Sequence, residues 1–202
     1  MSQDRNAIET RIHAAFEAQR YERAATLAIG HYGAEVFGFL RSQLRDEDAA
    51  REVFAQFSEV FWQTLPEFRW ACSMRTWAYK LARSEAQRYR RRERKHHASR
   101  VTDASPLSNV VFRHRTTTAA YRRTAVKDRF QRLRESLRPD DQALLVLRVD
   151  RGLSWRELAE VMFEGATADR DPEVRAARLR KRFQVLRARL RRLAESSGLL
   201  ER

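Results

Sequence analysis

Cysteine occurs once in this chain, at Cys72. One thiol excludes an internal disulfide and a cysteine-based zinc site. The histidines at 13, 31, 96, 97 and 114 are scattered, and His96-His97 sits in a basic polar run that reads as solvated linker, so no metal site is expected. Glycine (6) and proline (4) are scarce in 202 residues, while apolar residues recur at helical spacing over long stretches. An all-α protein is expected. No long apolar run and no signal peptide is present, which predicts a cytoplasmic chain with no integral membrane segment. Phosphate-binding glycine loops, nucleophile elbows and paired-histidine zinc helices are missing too. Carboxylates lie mostly on the front helices, away from the basic blocks, so the chain reads as a non-enzyme without cofactors.

What is abundant is positive charge, formally +14, and it is unevenly placed. Residues 1–66 hold 7 cations against 10 anions, residues 67–100 hold 11 against 3, and residues 170–202 hold 11 against 4. Two basic blocks behind an acidic front suggest two polyanion contacts and a separate surface for another partner.

The first basic block opens with Leu65-Pro66-Glu67-Phe68-Arg69-Trp70 and turns helical near Ser73, a good N-cap. Phe68, Trp70, Trp77 and Tyr79 interleave with Arg69, Arg75, Lys80 and Arg83. Aromatic faces beside cations suit unpaired bases and phosphates, stacking being worth roughly 1–3 kcal/mol per base. Of Trp77 and Tyr79, one is expected in the core, with Trp77 the favoured member. Trp62 and Trp155 read as packing residues.

Ahead of this block the spacing predicts helices over about Asp4–Tyr21, Glu22–Leu44 and from Asp46 or Asp48 to Pro66. Gly30 and Gly33 each cost about 1 kcal/mol relative to alanine inside the second helix, which favours a break or kink there. The fourth helix continues to Arg88–Arg94. Residues 95–118 are rich in Ser, Thr and His and read as a flexible linker between two domains, 1–94 and 119–202. Helical spacing returns from about Ala119 to Leu137.

The last third has well-marked helix ends. Pro139 starts a helix that Gly152 stops, and Ser154-Trp155-Arg156-Glu157 has the form of a capping box. Asp171-Pro172 supplies a cap and a first-turn proline for the final helix. That helix is expected to bury Leu179, Phe183, Leu186, Leu190 and Leu193 and to show Arg175, Arg178, Arg180, Lys181 and Arg182 elsewhere. A short capped helix followed by a basic helix is the helix-turn-helix order, whose second helix enters a major groove. Arginine there can make bidentate contacts to guanine.

Taken together, Tyr32-Gly33-x-x-Val36-x-x-Phe39-Leu40-Arg41, Asp46-Glu47-Asp48-Ala49, Leu65–Arg69 with Ser73–Arg83, Gly152–Glu160 and Leu179–Phe183 resemble, in order and spacing, the bacterial sigma-70 family of its small extracytoplasmic-function (group 4) type. The likeness covers about Arg23 to Leu193. It implies a sigma-2-like helical bundle and a sigma-4-like helix-turn-helix domain. It implies a transcription initiation factor that binds core RNA polymerase through Asp48, Glu52, Gln56 and Glu59. Promoter DNA would be met twice. Phe68, Arg69, Trp70, Ser73, Arg75, Thr76, Lys80 and Arg83 would recognise and melt the −10 element. Arg175, Arg178, Arg180, Lys181 and Arg182 would bind the −35 element. The resemblance also admits an anti-sigma partner, and nucleoid association once the chain is in holoenzyme.

Two departures stand out: the turn Phe163–Arg170 is about twice the usual length, and the Asp46–Glu59 segment is less acidic than in the family. The alternative reading is a helix-turn-helix regulator that binds duplex DNA without core polymerase.

Overall fold

The computed structural model describes residues 2–100, 133–134, 136–163 and 171–196, and all regular structure among them is helical. Helix α1 spans Ser2–Glu17, and α2, Tyr21–Leu44, packs back along it. The chain turns between α2 and α3 (Glu47–Thr64) through Arg45, whose φ of 61° lies in the left-handed region. Asp46 then caps α3 by accepting from the Ala49 N–H. Helix α2 runs unbroken through Gly30 and Gly33, so the expected break is absent. At Gly33 an added Cβ would stand 3.4 Å from the Phe54 ring, so the missing side chain brings α3 close. That packing offsets the helix-propensity cost.

A 3-10 turn over Leu65–Glu67 leads into the loop before α4, which spans Met74–Arg100. Helix α4 therefore continues six residues into the segment expected to be linker; residues 101–118 and most of the helix expected from Ala119 lie outside the described residues. In the last third, α5 (Pro139–Leu145) widens into a π-type turn over Val146–Asp150, which Gly152 stops with φ +68°. Ser154 and Glu157 form the capping box of α6 (Trp155–Met162). Asp171 accepts from the Glu173 N–H at the start of α7 (Pro172–Ser196). The long turn 163–170 is described only at Phe163.

The N-terminal core is built by Val36, Phe39 and Leu40 of α2, Val53, Phe57 and Phe61 of α3, and Met74, Ala78, Tyr79 and Ala82 of α4. Burial does not stop at the end of this bundle. Leu144, Leu147, Leu153, Leu158 and Val161 join the same continuous apolar cluster. The short helix α6 packs on α4, and α7 lies across α6. Each fully buried Leu, Val or Phe side chain contributes about 1.5–3 kcal/mol of transfer free energy, so this shared cluster holds the two halves against each other.

Two expectations for the aromatic residues are corrected. Tyr79, not Trp77, is the fully buried member, edge-on to Phe39 with ring centroids 5.6 Å apart. It sits midway along the 75–79–83 stripe of α4, which is covered on both sides. Trp62 is 48% exposed, because it lies one residue off the buried Val53–Phe57–Phe61 stripe of α3. Trp155 packs as expected, against Phe183 and beneath the Arg148 guanidinium.

Candidate nucleic-acid interface

The loop between the 3-10 turn and α4 is organised by rings. Trp77 stacks on Phe68 with centroids 4.6 Å apart and touches Phe61 at 4.7 Å. Phe68 meets Trp70 at 5.2 Å, and Trp70 packs against His13 (4.4 Å) and Phe16 (5.7 Å) of α1. Each such contact contributes about 0.5–1.5 kcal/mol beyond area burial. The stack holds Trp70 at φ +54°, a left-handed conformation uncommon for a bulky residue and costing roughly 1–2 kcal/mol. The Trp70 indole N–H is buried without an acceptor among the described residues. Phe68 is buried and supports the stack from within, while Arg69 is exposed at the tip of the loop.

The start of α4 is held by anions that the sequence alone did not single out. Ser73 accepts from the Thr76 N–H and pairs with the Thr76 hydroxyl. The Glu9 carboxylate, from α1, accepts from the N–H groups of Met74 and Arg75 at 2.9 and 3.1 Å and from the Tyr32 hydroxyl at 2.7 Å. An anion at a helix N-terminus is stabilised by the unpaired N–H groups and the helix dipole. Burial, and then the bond to Glu9, push the Tyr32 hydroxyl far above the ordinary tyrosine range.

Of the residues expected to steer a DNA strand, Arg75, Thr76 and Arg83 are buried and Lys80 is partly exposed. Arg75 donates twice to the Glu35 carboxylate, at 2.6 and 3.0 Å, and to the Arg151 carbonyl at 2.9 Å. Burial works against its charge, yet the Glu35 contacts leave its pKa above the usual arginine value. Arg83 donates to Asp140 at 2.9 Å and to the Val161 carbonyl at 3.5 Å. The Thr76 hydroxyl lies 3.4 Å from Glu157. Arg75, Thr76 and Arg83 are turned toward α5, α6 and the segment between them, not toward open solvent.

The final helix is arranged differently. Arg175 is buried and pairs with Glu160 at 2.9 Å, which removes it from the outward set. Arg178, Arg180, Lys181 and Arg182 are exposed. Arg182 is tied to Asp141 at 2.7 Å, and Arg180 lies 3.6 Å from Glu173. Arg178 and Lys181 make no ion pair among the described residues. Leu179 and Leu186 are buried, with Phe183 and Leu190 partly so, which fixes the inward face.

The residues expected to meet core polymerase lie on α3. Asp48, Glu52 and Glu59 are exposed and Gln56 is partly so, at helical spacings of 4, 4 and 3 that make one stripe. Glu52 accepts from Arg92 of α4 at 2.7 Å and from Gln56. Among the described residues no cluster of His, Cys, Asp or Glu could hold a metal ion, and no helix is long and apolar enough to cross a membrane.

No family model matches the chain, and no curated protein matches it at a significant level. The residues and their geometry carry the functional reading.

Proposed function

We propose that the chain is a transcription initiation factor of the sigma type, which binds core RNA polymerase and directs it to promoters. The observation that carries this reading is the exposed cationic outer face of α7, propped on the capped helix α6, in one chain with the aromatic stack that precedes α4. In this reading α7 lies in the duplex of the −35 element, where Arg178 and Lys181, which make no ion pair among the described residues, can meet it. The loop tip at Arg69, with Trp70 behind it, meets the −10 element where the strands part. Extruding a base costs a few kcal/mol, and the stack of rings supplies faces that can offset it. The exposed stripe Asp48–Glu52–Gln56–Glu59 is the polymerase-facing surface. The factor acts by binding, in the cytoplasm, and contributes no catalytic group.

A second reading, a helix-turn-helix regulator that works without polymerase, is favoured by one fact. Arg178 and Lys181 of α7 are open to solvent, whereas Arg75 and Arg83 of α4 are buried. Gel filtration with purified bacterial core polymerase separates the two. A sigma-type factor co-elutes with core, and the paired charge reversal Asp48→Lys/Glu52→Lys weakens co-elution while helical content is kept. Failure of the wild-type chain to co-elute, together with tight binding to duplex DNA on its own, would favour the regulator.

A further inference from the structure

A cavity of about 680 Å³ opens where the ends of α2 and α4 meet the start of α5 and the middle of α7. Its lining is rich in arginine: Arg90, Arg91 and Arg94 from α4, Arg138 before α5, and Arg182 from α7. Two carboxylates, Glu93 and Asp140, share the lining. Asp140 is already bonded to Arg83 at 2.9 Å, and Arg182 is tied to Asp141 at 2.7 Å. Four arginines then face the single carboxylate of Glu93, an excess of three positive charges. Arg91 and Arg138 make no ion pair among the described residues, and the Arg94 Nε–H donates only to the Arg90 carbonyl, at 3.2 Å.

Two donors in the lining lack acceptors. Arg90 donates to the Gln43 Oε1 at 3.0 Å, but the Arg90 Nε and the Gln43 Nε2 are buried with no partner among the described residues. Buried polar groups are nearly always hydrogen-bonded, and both missing partners here are acceptors. Burial also holds Arg90 below the ordinary arginine range; Asp140 opposes that shift, and Arg83, Arg45 and Arg94 add to it. An anion in the cavity would satisfy the donors and relieve the crowding of guanidinium groups. The volume lies within the roughly 300–1,000 Å³ of small-molecule sites, more than a lone phosphate needs. Tyr89 adds an aromatic surface to the lining, with the Arg92 guanidinium 5.4 Å from its ring centre. Rings of this kind stack on any nucleobase.

We propose that this cavity binds a nucleotide carrying two or more phosphate groups, the phosphates meeting Arg90, Arg94, Arg138 and Gln43 and the base lying against Tyr89. One terminal phosphate carries only about −1.5 to −2, so a second is needed to match the excess charge. Side chains form the cradle, in place of the glycine loop that the sequence lacks; arginine suits the task because its planar fork grips phosphate oxygens in pairs. Gln43 is only 5% exposed, so a small ligand can reach it and the convex backbone of a duplex cannot. Binding here does not depend on the promoter role proposed above.

The test is isothermal titration calorimetry of the full chain with ADP, AMP and pyrophosphate, in magnesium-free buffer at physiological salt. One ADP should bind per chain, at least about tenfold more tightly than AMP, which lacks the second phosphate, or pyrophosphate, which lacks the base. Arg138→Ala and Gln43→Leu should each weaken ADP by at least about tenfold. Arg138 is exposed, so its variant keeps the test decisive should Gln43→Leu disturb α2. Arg187→Ala, on an exposed position of α7 outside the cavity, should change affinity by less than about twofold. No heat with millimolar ADP would overturn the proposal, and so would an equal loss in all three variants, the mark of a diffuse polycation. AMP binding as tightly as ADP would overturn the requirement for two phosphates. Pyrophosphate binding as tightly as ADP would overturn the nucleotide and leave a bare phosphate site. An oligonucleotide whose binding depended on Gln43 and Arg138, and which ADP could not displace, would assign the cavity to a nucleic-acid backbone instead.

Discussion

Helices α4 and α7 look alike as sequence, each an apolar stripe set among arginines, but they spend their charge differently. On α4, Arg75 and Arg83 are buried and hydrogen-bonded to Glu35, Asp140 and backbone carbonyls. On α7, Arg178 and Lys181 stand in solvent with no ion pair among the described residues. A buried arginine that loses its carboxylate leaves an uncompensated charge costing several kcal/mol, whereas an exposed one costs little in stability and remains available to a ligand. The same residue type thus holds the structure together at Arg75 and Arg83 and stands in solvent at Arg178.

That contrast can be broken most forcefully at Arg75. Arg75→Ala strands the Glu35 carboxylate in a largely buried position and should cost about 3–5 kcal/mol by urea unfolding. A loss below about 1 kcal/mol would mean that Arg75 is not structural. The capping box of α6 offers a smaller lever. Ser154→Ala removes the acceptor for the Glu157 N–H and should cost about 1 kcal/mol in the same measurement.

Alkaline pH acts at the crevice that Cys72 lines together with Glu157 and Glu160. Because the folded thiol of Cys72 is held near 11 against an ordinary value of 9.0, the protonated form is bound more tightly in the folded chain. Its contribution to stability is complete below about pH 9 and is lost as pH rises toward 11. Urea midpoints of wild type and Cys72→Ala should therefore converge over pH 9–11. A constant gap would place the thiol in open solvent.

The smallest stability effect belongs to α7. Arg178→Ala should change stability by less than about 0.5 kcal/mol. If Arg178 reads a base, the same substitution costs about 1–3 kcal/mol at one promoter position; if it holds a phosphate, binding weakens for all sequences and the salt slope falls by about 1. Affinity measured over a library of −35 variants at two salt concentrations separates these results. Arg182, already tied to Asp141, should give the weaker response of the two.

Local chemistry was the legible part of this molecule. The caps at Asp46, Ser154 and Asp171 and the stop at Gly152 depend on residues within a few positions of one another, and they form as the sequence predicts. The inward stripe of α7 follows from spacing alone. What the sequence did not reveal is who meets whom across the fold. Glu35 lies 40 residues from Arg75, and Asp140 lies 57 from Arg83. No helical period links such positions, so cations that read as free proved to be paired. Tyr79 is a subtler case, since Trp77 is the larger and more apolar ring and only the covering of the 75–79–83 stripe puts Tyr79 in the core instead. Trp62 could have been placed from periodicity, for it falls beside the Val53–Phe57–Phe61 stripe and not on it. Gly33 could not, because its reason for being glycine is a ring on another helix.

The proposed role of the chain is to give core polymerase a choice of start site. Purified chain is added to bacterial core polymerase with fragmented genomic DNA, and the 5′ ends of the transcripts are mapped. A sigma-type factor should give discrete starts that are absent with core alone, each preceded by a shared two-part element. Transcripts with the same scattered 5′ ends whether or not the chain is present would contradict it.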